Sequence, residues 1–192
     1  MASDTEIANL ALDKLGARSI DSLDADNDRA RLVKRFFPLV RDRVLRSHNW
    51  NFAVTRVTLT ADTATPDWEY DYQYSLPEGV NKCLRVIEVE NEDFHEGTWK
   101  VEGRKIVTDK GGPIKIKYIK QVVNYGNWDG LAVEMFAAHL AADMAQSIGP
   151  SNTTQANLVQ IARERTAEAK ALDGQEGMPE VIVNDEWIDV RH

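Results

Sequence analysis

Residues 47–60 read Ser-His-Asn-Trp-Asn-Phe-Ala-Val-Thr-Arg-Val-Thr-Leu-Thr, and within them the hydrophobic period of the chain changes. Before this stretch, Val33, Phe37, Val40 and Val44 fall on one stripe at helical spacing. After it, Val57 and Leu59 alternate with Thr58 and Thr60, as in a strand with one face in water. Two large aromatic residues, Trp50 and Phe52, stand at the change. They can serve as a platform for a base or a sugar, or as a structural corner.

Working outward toward the N-terminus, the helix that ends in this stretch begins near Asp26, and Pro38 inside it removes one amide from the backbone ladder and is expected to kink it. A polar loop over 17–25 precedes it. An earlier helix opens on Ser3-Asp4-Thr5-Glu6, which has capping-box spacing, carries Ile7, Leu10, Ala11 and Leu15, and stops at Gly16. Downstream, the alternation of Trp68, Tyr70, Tyr72, Tyr74 and Leu76 with polar residues predicts a strand. Leu84 to Glu90 predicts another. Trp99–Val101 and Ile106–Thr108 flank Glu102-Gly103-Arg104 as a hairpin, and Ile114, Ile116 and Tyr118 alternate with lysines. About six short strands at this spacing imply antiparallel pairing. Residues 128–148 return to a helical period and are apolar almost all round, apart from His139, Asp143 and Gln146. Gly149-Pro150 ends that helix, and a last one, capped by Ser151, is expected to reach about Leu172.

This order predicts an α+β protein. Two N-terminal and two C-terminal helices (1–53 and 121–172) would form a four-helix bundle. Residues 54–120 would form a small inserted antiparallel β domain, and 173–192 an extended C-terminal arm.

At 192 residues the chain is long enough for a sizeable core, and its 43% hydrophobic and 28% charged residues are those of an ordinary globular protein. A net charge of −8 argues against general binding to the phosphate backbone of nucleic acid. Charge is unevenly placed, however. Residues 29–46 hold seven basic residues against one acid, and residues 62–102 hold eleven acids against three basic residues. These are either solvated faces or complementary faces that meet, within a subunit or between copies. The single cysteine, Cys83, cannot form an internal disulfide. The acidic N-terminus lacks the basic region of a signal peptide, and Glu134, His139 and Asp143 interrupt the most apolar run. No membrane association is expected, and synthesis in a cytoplasm is.

Catalytic signals are faint. The four histidines (His48, His95, His139 and His192) and Cys83 show no metal spacing, and no phosphate loop or nucleophile elbow is present. His139 reads as a satisfied core or interface residue. Cys83 with His48 is a conceivable nucleophilic pair, against the plainer reading of Cys83 as packing. Asp67, Glu69 and Asp71 flank Trp68 and Tyr70 in the manner of a sugar-binding strand. The plainer reading is a strand with an acidic wet face and an aromatic core face. Neither a cofactor nor a metal is expected.

The run Arg41-Asp42-Arg43-Val44-Leu45, followed by His48-Asn49-Trp50-Asn51-Phe52-Ala53, resembles the signature of the tail tubular protein A family of short-tailed phages, the head-to-tail adaptors. Further matches follow in order: Ile7-Ala8 to Leu15-Gly16, Tyr74-Ser75-Leu76-Pro77, the run from Val101 to Asp109, and Trp128-Asp129 before the alanine-rich helix. The resemblance spans nearly the whole chain. Asn49 departs from it, standing where the family often has proline.

The resemblance implies a structural virion protein without catalysis: a helical bundle carrying a β domain. It would assemble as a ring, typically twelve-fold, between the phage portal protein and the tail nozzle protein. DNA would contact it only by passing through its channel. Its place would be the head-tail junction of the virion, after assembly in the host cytoplasm. On this reading Trp50 and Phe52 form a structural corner, and Arg31, Arg35 and Arg43 belong to the subunit interface. Val181, Val183, Trp187, Ile188 and Arg191 would dock on the portal or a neighbouring subunit. Two other classes are carried alongside. One is a virion-associated cell-wall or polysaccharide hydrolase using acids such as Glu69 and Asp71. The other is a DNA-binding module using the basic second helix.

Overall fold

The computed structural model describes residues 3–90, 98–149 and 152–176. Helix α1 spans Asp4–Lys14 and opens on the capping box expected of it: Ser3 Oγ accepts from the Glu6 amide at 3.2 Å, and Glu6 Oε2 accepts from the Ser3 amide at 2.7 Å. Its buried face is Ile7, Ala8, Ala11 and Leu12, whereas Leu10, expected on the stripe, is 43% exposed. The apolar stripe therefore lies one position round the helix from its expected place. Asn9 fixes the following loop by bonding both backbone groups of Ile20 (2.8 and 3.0 Å).

Helix α2 spans Asp28–Arg46, capped by the Asn27 side chain on the Ala30 amide at 2.9 Å, and continues through Pro38. Val33, Phe37, Val40 and Val44 are all buried, as their spacing predicted.

Six strands follow among the described residues: β1 (Val54–Leu59), β2 (Tyr72–Ser75), β3 (Cys83–Glu90), β4 (Trp99–Glu102), β5 (Lys105–Thr108) and β6 (Ile114–Lys120). All described pairings are antiparallel, but they make two three-stranded sheets, ordered β1-β6-β3 and β2-β5-β4. The β4–β5 hairpin turns on Gly103 and Arg104, both at positive φ (51° and 64°), the backbone hand that matches strand twist in a two-residue turn. Arg104 holds this unusual conformation for a residue with a Cβ. Its guanidinium donates to the carbonyls of Pro77 (3.0 Å) and Cys83 (3.2 Å) and meets Glu78 at 3.2 Å.

The expected strand over Trp68–Leu76 is only half there. Glu69 sits at φ 73°, a left-handed conformation that no strand contains, and the Tyr70 amide bonds back to the Trp68 carbonyl at 3.0 Å. Pairing begins at Tyr72, leaving Trp68 79% exposed rather than on a core face.

Helix α3 (Gly130–Ile148) is capped by Asp129 on the Leu131 amide at 2.8 Å and ends on left-handed Gly149. It packs against α1, α2 and α4, which explains a sequence apolar on nearly every side. Met135, Phe136 and Leu140 are each fully withdrawn from water, worth about 1.5–3 kcal/mol apiece. Helix α4 spans Asn152–Gln175, so Asp173 and Gly174 belong to it rather than to a tail. Ser151, the expected cap, lies outside the described residues.

The described residues thus form an α+β fold with two hydrophobic cores. One joins the four helices to the near ends of β3 and β6 through Leu84 and Ile119. The other lies between the sheets, with Tyr74, Leu76 and Ile106 meeting Cys83, Val89, Ile114, Ile116 and Tyr118. No described helix is long and apolar enough to cross a membrane.

Candidate functional site

The corner is built from the backbone outward. Arg46, near the end of α2, donates to the Leu84 carbonyl of β3, and the Ser47 hydroxyl donates to the Val44 carbonyl at 2.7 Å. The chain then turns so that the Trp50 indole, 1% exposed, donates through Nε1 to the same Val44 carbonyl at 2.9 Å. The amides of Ala53 and Val54 bond back to the Trp50 carbonyl (2.9 and 3.0 Å), and β1 begins. Trp50 stacks at 6.0 Å on half-buried Phe52, which meets Trp128 at 5.0 Å. Trp128 meets Phe136 and Tyr125 (both 5.5 Å), and Phe37 packs on both of these. Six aromatic rings thus run as one series from the corner into α2 and α3.

A pocket of about 250 Å³ lies beside this series, with Asp129, Asp173 and Glu176 among its lining residues. Two of these acids already hold the fold together. Asp129 caps α3. Asp173 accepts from the Asn51 amide at 2.9 Å and meets His48 Nε2 at 3.1 Å, while the Asn51 side chain donates to the Asp173 carbonyl at 2.7 Å. The last turn of α4 therefore grips the corner.

The basic face of α2 is partly answered within the chain. Arg31 pairs with Asp26 and Asp28, Lys34 with Asp24 at 2.6 Å, and Arg43 with Asp143 of α3 at 2.9 Å. Among the described residues, Arg29 and Arg35 have no carboxylate partner; Arg35 lies over the Phe36 ring at 5.4 Å. The three arginines expected at a subunit interface thus differ: Arg35 is uncommitted, while Arg31 and Arg43 are engaged. Val181, Val183, Trp187, Ile188 and Arg191 lie outside the described residues.

The acidic region is answered in the same way. Asp62 pairs with Lys105 (3.0 Å), Glu69 with Lys100 (2.9 Å) and Glu78 with Arg104 (3.2 Å). The Lys100 hydrogen bond holds Glu69 below the usual carboxylate range, the opposite of what a proton-donating glycosidase acid needs. Burial pushes the Cys83 thiol up, away from the reactive thiolate, and His48 faces Asp173 instead. No cluster of potential metal ligands occurs among the described residues.

No protein-family model and no curated protein matches this chain. The residues themselves must carry the functional reading. One residue that matters was not singled out from the sequence. Asp173 carries no local signal, since its role depends on a contact 122 residues away with Asn51. Trp68 was read as the start of a strand; it stands in solvent because pairing begins only at Tyr72.

Proposed function

We propose that this protein is a structural head-to-tail adaptor of a short-tailed phage, resembling tail tubular protein A. It would form a ring between portal protein and tail nozzle protein that extends the DNA channel, with no catalysis of its own. The single observation that carries the reading is the ordered series of matching motifs along nearly the whole chain. Its central run, Arg41 to Ala53, covers the end of α2 and the Trp50 corner. The finer architecture belongs to the same proposal: α1–α4 as one four-helix bundle, residues 54–120 as an inserted β domain, and a docking arm beyond α4. The aromatic series supports the corner role of Trp50 and Phe52, because each ring is already engaged by another.

The test is attachment. DNA-filled, tailless capsids bearing a portal should bind the protein as a ring visible by electron microscopy. Deleting residues 180–192 should leave a folded chain that no longer attaches. Charge reversal at Arg35, which has no carboxylate partner among the described residues, should block ring formation while leaving the monomer folded; at Arg43 it would also break the pair with Asp143. Capsids that ignore the parent protein would remove the reading.

A further inference from the structure

Trp68 is the most solvent-exposed aromatic residue described, yet its surroundings are tightly held. Lys100 reaches Glu69 at 2.9 Å and lies over the Tyr70 ring at 5.3 Å. The Asp71 amide donates to Asp109 at 3.2 Å, and the Gln73 side chain donates to the Ala64 carbonyl at 2.8 Å. Glu69 is kept at φ 73°, a backbone state that an L residue holds against a cost of order 1 kcal/mol or more. The result is an indole presented to solvent on a fixed loop, with Asp67 and Glu69 on either side of it.

A matching hollow lies at the other end of the molecule. The start of α2 and the end of α3 enclose a groove of about 480 Å³ whose apolar lining is Leu32 and Ile148 and whose walls include Arg29, Arg31 and Arg35. Arg29 and Arg35 have no described carboxylate partner. One molecule cannot join the two features. The end of α2 abuts β3 through Arg46, and Arg29 stands 17 residues earlier, about 26 Å along the helix axis. Trp68, by contrast, precedes β2 in the sheet on the far side of the second core.

We infer that Trp68 of one copy seats in the Leu32–Ile148 groove of a second copy, where Arg29 and Arg35 meet Asp67. The inference rests on the self-assembly in the adaptor reading and names where one copy meets the next. Lys100 offsets Glu69 at the knob and Asp28 offsets Arg31 in the groove wall, which leaves Asp67 facing Arg29 and Arg35 as the complementary charges, and a guanidinium beside an indole adds a cation–π contact. Knob and hollow are different surfaces, so the contact is head-to-tail and propagates, as a ring requires.

Sedimentation velocity on the full chain tests it. The parent should self-associate with rising concentration. Trp68→Ala and the double variant Arg29→Glu/Arg35→Glu should each weaken association at least about tenfold, the loss expected of an interface tryptophan, with unchanged far-ultraviolet circular dichroism. Trp68→Ala keeps an intact hollow and the arginine variant keeps an intact knob. Mixed in equal parts, they should form one-to-one dimers and nothing larger. A parent that stays monomeric at every concentration, a variant that associates like the parent, or a mixture that stays monomeric would each overturn the contact. If association follows this pattern while portal-bearing capsids ignore the protein, the contact stands and the adaptor reading falls. Capsid-bound rings formed by Trp68→Ala would give the reverse.

Discussion

Replacing Trp50 with alanine removes a side chain that is 1% exposed, stacked on Phe52 at 6.0 Å and set edge-on against His48 at 4.7 Å. Truncating a buried aromatic to alanine costs about 3–5 kcal/mol, through lost transfer energy and the cavity left behind. The lost indole hydrogen bond adds little, because the Val44 carbonyl keeps both the Ser47 amide (3.1 Å) and the Ser47 hydroxyl (2.7 Å). Trp50→Phe isolates that small part: it retains most of the ring contact and should cost roughly 0.5–1.5 kcal/mol. For a chain of this size the alanine variant should melt roughly 10 °C below the parent. Urea unfolding followed by far-ultraviolet circular dichroism measures the free-energy losses and a thermal scan the melting point, with Val80→Ala as the internal control, because Val80 is 85% exposed and its truncation should change stability by no more than about 0.5 kcal/mol. If Trp50→Ala costs less than about 1 kcal/mol, or no more than Val80→Ala, the corner does not depend on the indole and the argument from burial fails.

The remaining predictions concern other contacts. Burial, with a further push from Arg43, holds His139 below its ordinary value of 6.5 while its Nε2 meets Thr166 Oγ1 at 2.8 Å. The unfolded chain therefore binds the proton first, and stability should fall as pH drops through about 6.5; His139→Asn, compared between pH 7.5 and 5.5, should lose this part of the slope. Asp173→Ala should cost about 0.5–1.5 kcal/mol, since water can reach the exposed Asn51 amide in its place, and should speed amide hydrogen exchange at residues 48–51 before it affects the strands. Gly111→Ala would place a methyl 2.8 Å from the Tyr72 ring, and because Tyr72 is 38% exposed its ring can turn outward; a loss of no more than about 1 kcal/mol is expected, with Tyr72→Ala in the same chain removing the clash.

The helices were legible because their signals are local. A capping box at Ser3 and a four-residue stripe on α2 need no knowledge of the rest of the chain, and both are found as read. The exposed Leu10 shows the limit: with Ala8 and Ala11 small, the sequence alone does not say which side of α1 faces α3. Strand Trp68–Leu76 failed for a related reason. Alternation runs unbroken through Tyr70, but Glu69 takes a left-handed backbone conformation, which alternation does not encode. Charge patches were visible as composition. Which charges are spent inside the chain was not, since Arg43 finds Asp143 and Asp62 finds Lys105 only after folding.

Strand β6 has one further consequence, for how the protein comes apart. It is the middle strand of its sheet, paired on both sides, and its residues serve both cores: Ile114, Ile116 and Tyr118 serve the one between the sheets, and Ile119 the helical one. A strand shared in this way couples the melting of the two halves, because neither core can open without exposing the strand that the other needs. The amides of β6 should therefore exchange with solvent only through global unfolding, and calorimetry should record one cooperative transition where an α+β chain with separate cores could show two.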